Sequence, residues 1–250
     1  MTVNGLYEAL DARIPGALSA AWDNDGKMCV PHGEKTVGKA LFCLDVTDGV
    51  VARAKEIGAD VIVSHHPLIF APLSSVTEEG AVSARVIALA EANIAVLSFH
   101  TRFDAVQGGI NDGLCKILSL SNVTPFGEDG LGRVGTLPET MTAKTFCTLV
   151  KEALGTSVLS VADAGKPIRR VAVVGGEGKD EIGAAIAIGA DAYLSGRLGY
   201  HAMQDCPITL VEAGHYFTER HAASLLEAMV KEIDPTLQSE IYTPNPLLLY

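Results

Sequence analysis

The chain has 250 residues, of which 48% are hydrophobic, and this is enough to bury a large core in one or two domains without disulfide or metal staples. Nineteen basic against thirty acidic residues give a formal net charge of −11, which argues against a nucleic-acid partner and favours a small ligand or a cation bound by acids. No segment approaches the ~18 apolar residues of a membrane span, and the five cysteines are scattered and never spaced C-x-x-C. We therefore expect a soluble protein of the reducing cytoplasm, with neither a nucleic-acid nor a membrane partner.

The first half of the chain predicts alternating strands and helices. Continuous apolar runs indicate strands covered on both faces, and a helix between two such runs forms a βαβ unit. Turn residues occupy 22–26. The predicted strands are 39–46, 59–64 and 94–99, and the predicted helices are 48–58 and 80–93.

The second half repeats this pattern. Residues 57–64 match residues 188–195 at a fixed offset of about 131, which indicates a duplicated domain rather than a solenoid. The fold class expected is therefore α/β, with related lobes over 1–125 and 126–250. The second half predicts a glycine-rich connection with a short β element at 119–140, helices at 142–154, 180–189 and 221–233, and strands at 170–174, 190–195 and 208–213.

Histidines and acids follow three of the predicted strands. His65 and His66 close the run 61–64; His100 and His215 follow later strands, each with an acid four residues on. Ligands of α/β proteins gather at the carboxyl ends of strands, so these side chains predict a polynuclear metal site built from both halves. The alternatives are a histidine pair satisfied by backbone and water, and acids that cap helices or face solvent.

Five motifs carry a resemblance to a known family. Over nearly its whole length the chain resembles the Ngg-interacting factor three-like family of dinuclear metal-centre proteins, whose members are often named GTP cyclohydrolase I type 2 homologs. The resemblance implies two intertwined α/β lobes with mixed sheets flanked by helices, a metal site in the cleft between them, and a toroidal homohexamer. The motifs are Trp22-Asp23-Asn24, Ser64-His65-His66-Pro67, His100-Thr101 with Asp104, Gly108-Gly109-Ile110-Asn111-Asp112, and Gly214-His215 with Glu219.

The same resemblance implies a ligand set and a reaction. Two divalent ions per subunit (zinc, iron or manganese) would carry a bridging hydroxide that hydrolyses a nucleotide-like small molecule. His100 is then a catalytic residue, either as an occasional ligand or as a proton carrier. The rival functions are a metal-binding chaperone or metal-cofactor insertion protein without turnover, and a scaffold with structural metals. The implied metal ligands are His65, His66, Asp104, His215 and Glu219.

The chain departs from the family pattern at three places. Asp25 stands where the family commonly has an apolar residue, and Arg102 stands where an asparagine is usual after His-Thr. Arg197 follows Gly196 at the strand end of the second repeat, where the family usually has an acid after the glycine. Gly196-Arg197 also occupies the place that the duplication gives to His65-His66, so we expect the two lobes to contribute unequally to the site.

Two further residues have open roles at this stage. Asp45 either orients a metal-bound histidine or caps the helix that begins near residue 48. Trp22, the only tryptophan of the chain, either lines the ligand site or belongs to the core.

Overall fold

The computed structural model describes residues 1–247, which form two compact units. Unit 1 comprises Met1–Phe103 and Ala222–Pro244, and unit 2 comprises Asp104–His221 with the residues from Asn245 on. The sequence predicts continuous lobes over 1–125 and 126–250; the compact units divide the chain differently, because a C-terminal helix and strand pack within unit 1. Among residues 1–247, none of the helices combines the length and apolar composition needed to cross a membrane.

Unit 1 contains one five-stranded sheet. Helix ends follow the sequence closely: the Thr47 side chain accepts a hydrogen bond from the Val50 amide at the start of the second helix, and Gly58 ends that helix in the left-handed conformation. The chain passes into unit 2 within the fourth helix. The elements are α1 (Val3–Asp11), β1 (Gly26–Cys29), β2 (Lys39–Cys43), α2 (Asp48–Ile57), β3 (Val61–Ser64), α3 (Ala81–Glu91), β4 (Ala95–Ser98), α4 (Thr101–Ala105), α9 (Ala222–Ile233) and β11 (Gln238–Ile241).

The sheet of unit 1 is mixed and buried on both faces. Its order is β1-β4-β3-β2-β11, with β1 antiparallel to β4 and the remaining pairs parallel. Helices α2 and α3 cover one face, where Leu41, Ile62 and Val96 of the strands pack against Val50 and Leu89 of the helices. Helix α9 contacts β2 and β3 from the sheet's other side and packs on α1. Burial on both faces explains why these strands are continuous apolar runs.

Unit 2 contains one six-stranded mixed sheet in the order β5-β6-β8-β9-β10-β7. Strand β9 lies parallel to β8 and β10, and the outer pairs are antiparallel. Helices α5 and α6 cover one face, and α7 packs on the other. The elements are α5 (Ile110–Ile117), β5 (Ser121–Phe126), β6 (Gly132–Met141), α6 (Ala143–Leu154), β7 (Ser160–Ala162), β8 (Ile168–Glu177), α7 (Ile182–Ala187), β9 (Ala192–Arg197), β10 (Thr209–Glu212) and α8 (His215–Glu219).

Two mixed sheets flanked by helices confirm the predicted α/β class. The prediction for the region 119–140 is wrong. The region 119–140 contains two paired strands, β5 and the ten-residue β6, rather than a connection with a short β element. The glycines and prolines of this region suggest loops, but residues 127–131 form the turn between the strands and Pro125 lies on the edge strand β5, where no further ladder bond is needed.

The duplication predicted from sequence is visible in hydrogen bonds as well as in strand order. In unit 1, Asp60 accepts from the amides of Gly38 and Lys39 at 2.8 and 3.0 Å. In unit 2, Asp191 accepts from the amides of residues 169 and 170 at 2.9 and 2.8 Å, at the same offset of 131. In each βαβ motif, an aspartate just before the second strand therefore accepts hydrogen bonds from amides near the start of the first strand. The same arrangement occurs in unit 1 and in unit 2.

Candidate metal centre

His65 and His66 lie at the carboxyl end of β3. Their amides donate to the carbonyls of Cys43 and Leu44, so the pairing with the β2 segment continues past the strands. Neighbouring side chains of a regular strand point to opposite faces, but the backbone bends here and Ser64 Oγ donates to the His66 carbonyl at 2.8 Å. The two imidazole rings consequently lie with centroids 4.9 Å apart.

The unit 1 cluster consists of His65, His66 and His100. One ring nitrogen from each lies within 4.8 Å of those of the other two. Each Nδ1 lies beside an oxygen: His65 at 2.9 Å from the Phe99 carbonyl, His66 at 2.7 Å from Asp45 Oδ1, and His100 at 2.8 Å from Asp23 Oδ1.

These three oxygens fix the histidine tautomers. A neutral imidazole that donates from Nδ1 carries its lone pair on Nε2, the atom that coordinates a metal. A carbonyl or carboxylate behind a metal-binding histidine also sets the orientation of the ring and raises its basicity. Asp45 therefore orients His66, whereas Thr47 caps α2, which decides between the two roles that the sequence left open.

Asp23 connects the Trp-Asp-Asn motif to the segment that follows β4. Its Oδ2 accepts from the amide and the hydroxyl of Thr101 at 3.0 and 2.6 Å, while Oδ1 lies beside His100. Burial alone would raise the pKa of the Asp23 carboxyl, but the hydrogen bonds from His100 and Thr101 outweigh it and hold that pKa well below its usual range. Asp23 is thus an ionised anchor for His100, a role that the motif alone did not indicate.

The unit 2 cluster consists of Asp104, His215 and Glu219. His215 begins α8 and Glu219 ends it, so one helical turn brings His215 Nε2 within 2.9 Å of Glu219 Oε2. A carboxylate oxygen of Asp104 lies within 4.8 Å of one from Glu219. Both carboxylates are buried, at 8% and 4% exposure. Two buried acids in contact range repel each other when ionised, which is a reason for such a pair to hold a cation.

Two glycines make room for the unit 2 cluster. A Cβ on Gly176, whose φ is +63°, would lie 2.2 Å from Glu219 Oε1 and 3.2 Å from His215 Nε2. A Cβ on Gly196 would lie 2.6 Å from the Gly176 carbonyl oxygen and 2.8 Å from His215 Cα. Gly196 holds the place that His65 has in unit 1, so the start of α8 occupies the space of a side chain there. This packing explains why the strand end of unit 2 carries a glycine where unit 1 carries His65.

We predict that Gly196→Ala lowers the free energy of unfolding by about 1–3 kcal/mol, because the new methyl group meets backbone atoms that have no room to move aside. Gly183→Ala is the matched control: it lies within α7, and an added Cβ has nothing within 4 Å. We expect the control to raise stability by about 0.5–1 kcal/mol, since alanine favours the helix. Denaturant unfolding of both variants checks the pair, and equal stabilities would contradict the packing argument.

The two histidine–acid pairs follow equivalent strands but differ by one position. Phe99 donates to the Ser64 carbonyl and Ala213 to the Ser195 carbonyl, both at 2.9 Å, so these residues correspond. His100 comes directly after Phe99, whereas Gly214, with a φ of +91°, separates His215 from Ala213. As a result His215 lies inside its helix and His100 precedes its own, which places the two imidazoles differently with respect to their strands.

Asn111 ties the segment that carries Asp104 to two neighbouring segments of unit 2. It is fully buried; its amide nitrogen donates to the Asp104 and Leu131 carbonyls at 3.3 and 2.8 Å, and its Oδ1 accepts from the Gly175 amide at 2.8 Å. The neighbouring Asp112 pairs with Arg133 at 3.0 Å. The Gly-Gly-Ile-Asn-Asp motif therefore holds the segment that carries Asp104 in position.

Arg102 and Asp25, the residues at two of the expected departures from the family pattern, contact each other. Arg102 is 1% exposed, and its guanidinium contacts Asp25 at 3.0 Å, Asp11 at 2.5 Å and the Ile14 carbonyl at 3.0 Å. Asp25 also accepts from the His100 amide at 3.1 Å. A buried arginine requires acids around it, so the buried Arg102 and Asp25 depend on each other.

Known proteins resemble this chain over most of its length. A model of the family Duf34/NIF3 (NGG1p interacting factor 3) matches residues 1–245. A Clostridium perfringens protein named GTP cyclohydrolase 1 type 2 homolog is 34% identical over 242 residues, covering 93% of this chain and 92% of its own; a Clostridium acetobutylicum protein of the same name is 33% identical over 230 residues, covering 88% and 85%. A crystal structure of a Bacillus cereus protein related to NIF3 superposes with a TM-score of 0.89 at 21% identity, covering 100% of this chain and 99% of that one.

Proposed function

Because the chain belongs to the Duf34/NIF3 (NGG1p interacting factor 3) family, we propose that it is a dinuclear metal-dependent hydrolase that acts on a nucleotide-like small molecule. The proposed activity follows the name of the chain's relatives, GTP cyclohydrolase 1 type 2 homolog. Each subunit would hold two divalent ions (zinc, iron or manganese), and the subunits would assemble into a toroidal homohexamer. The compartment proposed is the cytoplasm, since the five cysteines, all within residues 1–247, carry free thiols.

One observation carries the proposal. Three imidazoles converge in unit 1, and each is oriented by an oxygen at its Nδ1, so that Nε2 is the atom available for coordination. Such an arrangement fits a divalent metal because the protein has already fixed tautomer and direction before the ion binds. In the proposed ligand set, the buried acids of unit 2 would supply the negative charge that a pair of divalent cations requires.

The residues have distinct proposed roles. His65, His66, Asp104, His215 and Glu219 would hold the ions, which would supply Lewis-acid chemistry and a water of lowered pKa. His100 is the proposed proton carrier. Its ring is partly exposed, and Asp23, fully buried behind Nδ1, would stabilise the protonated form of the ring when a proton arrives at Nε2.

The proposed function is tested by metal analysis followed by a turnover screen. Protein purified without added ions is analysed for its metal, the metal is restored, and nucleotides, phosphoesters and cyclic amides are offered as substrates. Turnover that disappears on chelation and returns with the metal supports a hydrolase. Rapid transfer of the ions to a chelator or an acceptor protein, without turnover of any substrate class, would instead identify a metal carrier.

We predict that Asp45→Ala weakens metal binding by about 10–100-fold, because His66 loses the oxygen that holds its ring and tautomer. The matched control is Asp48→Ala, three residues along, whose exposed carboxylate pairs with Arg85. Metal titration of the apoproteins gives both affinities. If both variants bind metal as tightly as the unaltered chain, Asp45 does not support a ligand.

A further inference from the structure

We propose that Trp22 and Phe70 form a stacking site for a flat heteroaromatic ring, such as a nucleobase, beside the histidines of unit 1. The inference rests on the proposed function and names the part of the substrate that this surface would recognise, the flat ring. It also assigns a role to Trp22, for which the sequence left both a ligand site and the core open.

The exposure of the two rings is the first observation. Trp22 is 65% exposed and Phe70 is 56% exposed, although large aromatic side chains are usually buried. Their ring centroids lie 6.0 Å apart with planes inclined by 56°. The rings are therefore adjacent without stacking face to face, and most of each remains open to a ligand.

The second observation is that both rings border the metal-binding histidines. The His100 ring lies edge-on to Trp22, with centroids 6.1 Å apart and planes at 75°, and edge-on to Phe70, with centroids 6.1 Å apart and planes at 82°. His100 is in turn 5.1 Å from His65 and 5.6 Å from His66, measured between ring centroids. A ring held on the aromatic pair would thus lie next to the atoms proposed to act on it.

Hydrogen bonds hold the pair in place. Asn24 Nδ2 donates to the Ile69 carbonyl at 2.5 Å, which ties the turn carrying Trp22 to the segment carrying Phe70. Asp23 ties the same turn to His100 and Thr101. A binding surface positioned before its ligand arrives loses less conformational entropy on binding, so this bracing favours recognition over a chance exposure of apolar groups.

The chemistry of the pair selects the class of ligand. Aromatic side chains stack on any base, and each stacked base contributes about 1–3 kcal/mol to binding. The pair offers apolar ring faces, and the groups that brace it, Asp23 and Asn24, carry no positive charge. A flat, uncharged ring fits this surface, whereas a phosphate group would find no cationic partner in it.

Trp22 makes the site directly measurable, because it is the only tryptophan of the chain. We expect its fluorescence to be quenched saturably when the metal-containing protein is titrated with GTP or ATP. Inorganic triphosphate, which carries a similar charge without a ring, is expected to leave the fluorescence unchanged. Phe70→Leu keeps an apolar side chain but removes the ring, and should weaken nucleotide binding about ten-fold. Phe70→Tyr keeps the ring and should stay within about three-fold of the unaltered chain.

Several outcomes would overturn the stacking site: quenching by triphosphate as strong as by GTP, no quenching by either nucleotide, or equal affinities for the leucine and tyrosine variants. A change of oligomeric mass in Phe70→Leu, with nucleotide affinity unaltered, would assign the pair to a contact between copies of the chain. Failure of the hydrolase is distinguishable: quenching without turnover rejects the reaction and keeps the site, while turnover with an unaltered KM in Phe70→Leu rejects the site and keeps the reaction.

Discussion

Replacing His66 and Glu219 together with alanine is expected to lower metal affinity by at least about 100-fold, beyond the range found when only a supporting residue is lost. The change removes one proposed ligand from each cluster: from unit 1 the imidazole oriented by Asp45, and from unit 2 the buried carboxylate that lies 2.9 Å from His215. The measurement is metal content per chain after purification without added ions, with turnover measured on the same samples.

The control for this variant is His32→Ala, which removes an exposed histidine of unit 1 outside the cluster. It should retain both metal and turnover. Circular dichroism of the double variant establishes that the chain is still folded. Two ions per chain retained in the folded double variant would refute the proposed ligand set, whatever the activity.

Arg102→Ala is expected to lower the free energy of unfolding by about 3–5 kcal/mol. The arginine is 1% exposed, and its removal leaves the carboxylate of Asp25, 7% exposed, in a buried place without its cation. Because Asp25 also accepts from the His100 amide, the loss should extend to the segment that carries His100, the proposed proton carrier. Urea unfolding measures the effect as a shift of the transition midpoint, with the slope of the unfolding free energy against urea concentration unchanged.

A surface ion pair provides the contrast. Arg85 pairs with Asp48, whose side chain is 83% exposed, so Arg85→Ala should cost only about 0–1 kcal/mol. A second comparison combines Asp25→Leu with Arg102→Asn, an apolar residue and an asparagine as the resemblance leads us to expect at these positions. The double variant should be less destabilised than the sum of its single variants by about 0.5–3 kcal/mol, since each single variant leaves a buried partner behind. Strict additivity would contradict the coupling of the two departures.

The alternation of strands and helices could be predicted because its signals are local. Apolar runs such as 61–64 and the glycine end at residue 58 act within a few residues, and the structure has both. The candidate histidines could be recognised for the same reason, because His65-His66 and His100 follow apolar strands directly.

Other features depended on residues that lie far apart in the sequence. Strands β5 and β6 were mistaken for a connection because their glycines and prolines signal turns, whereas pairing of β6 with β8 over thirty residues away decides their conformation. Strand β11 joins the sheet of unit 1 beside β2 after almost two hundred intervening residues. No periodicity within a segment specifies such a partner.

By itself, the sequence determined the α/β class, the duplication and the identity of the histidines and acids, because periodicity, caps and motifs are properties of short segments. Only the tertiary structure decided that Asp23 anchors His100 across 77 residues and that Arg102 neutralises Asp25. It also decided that the start of α8 packs where a side chain at position 196 would lie. Each of these depends on which loops meet at the strand ends, and that meeting is set by the packing of whole sheets and helices.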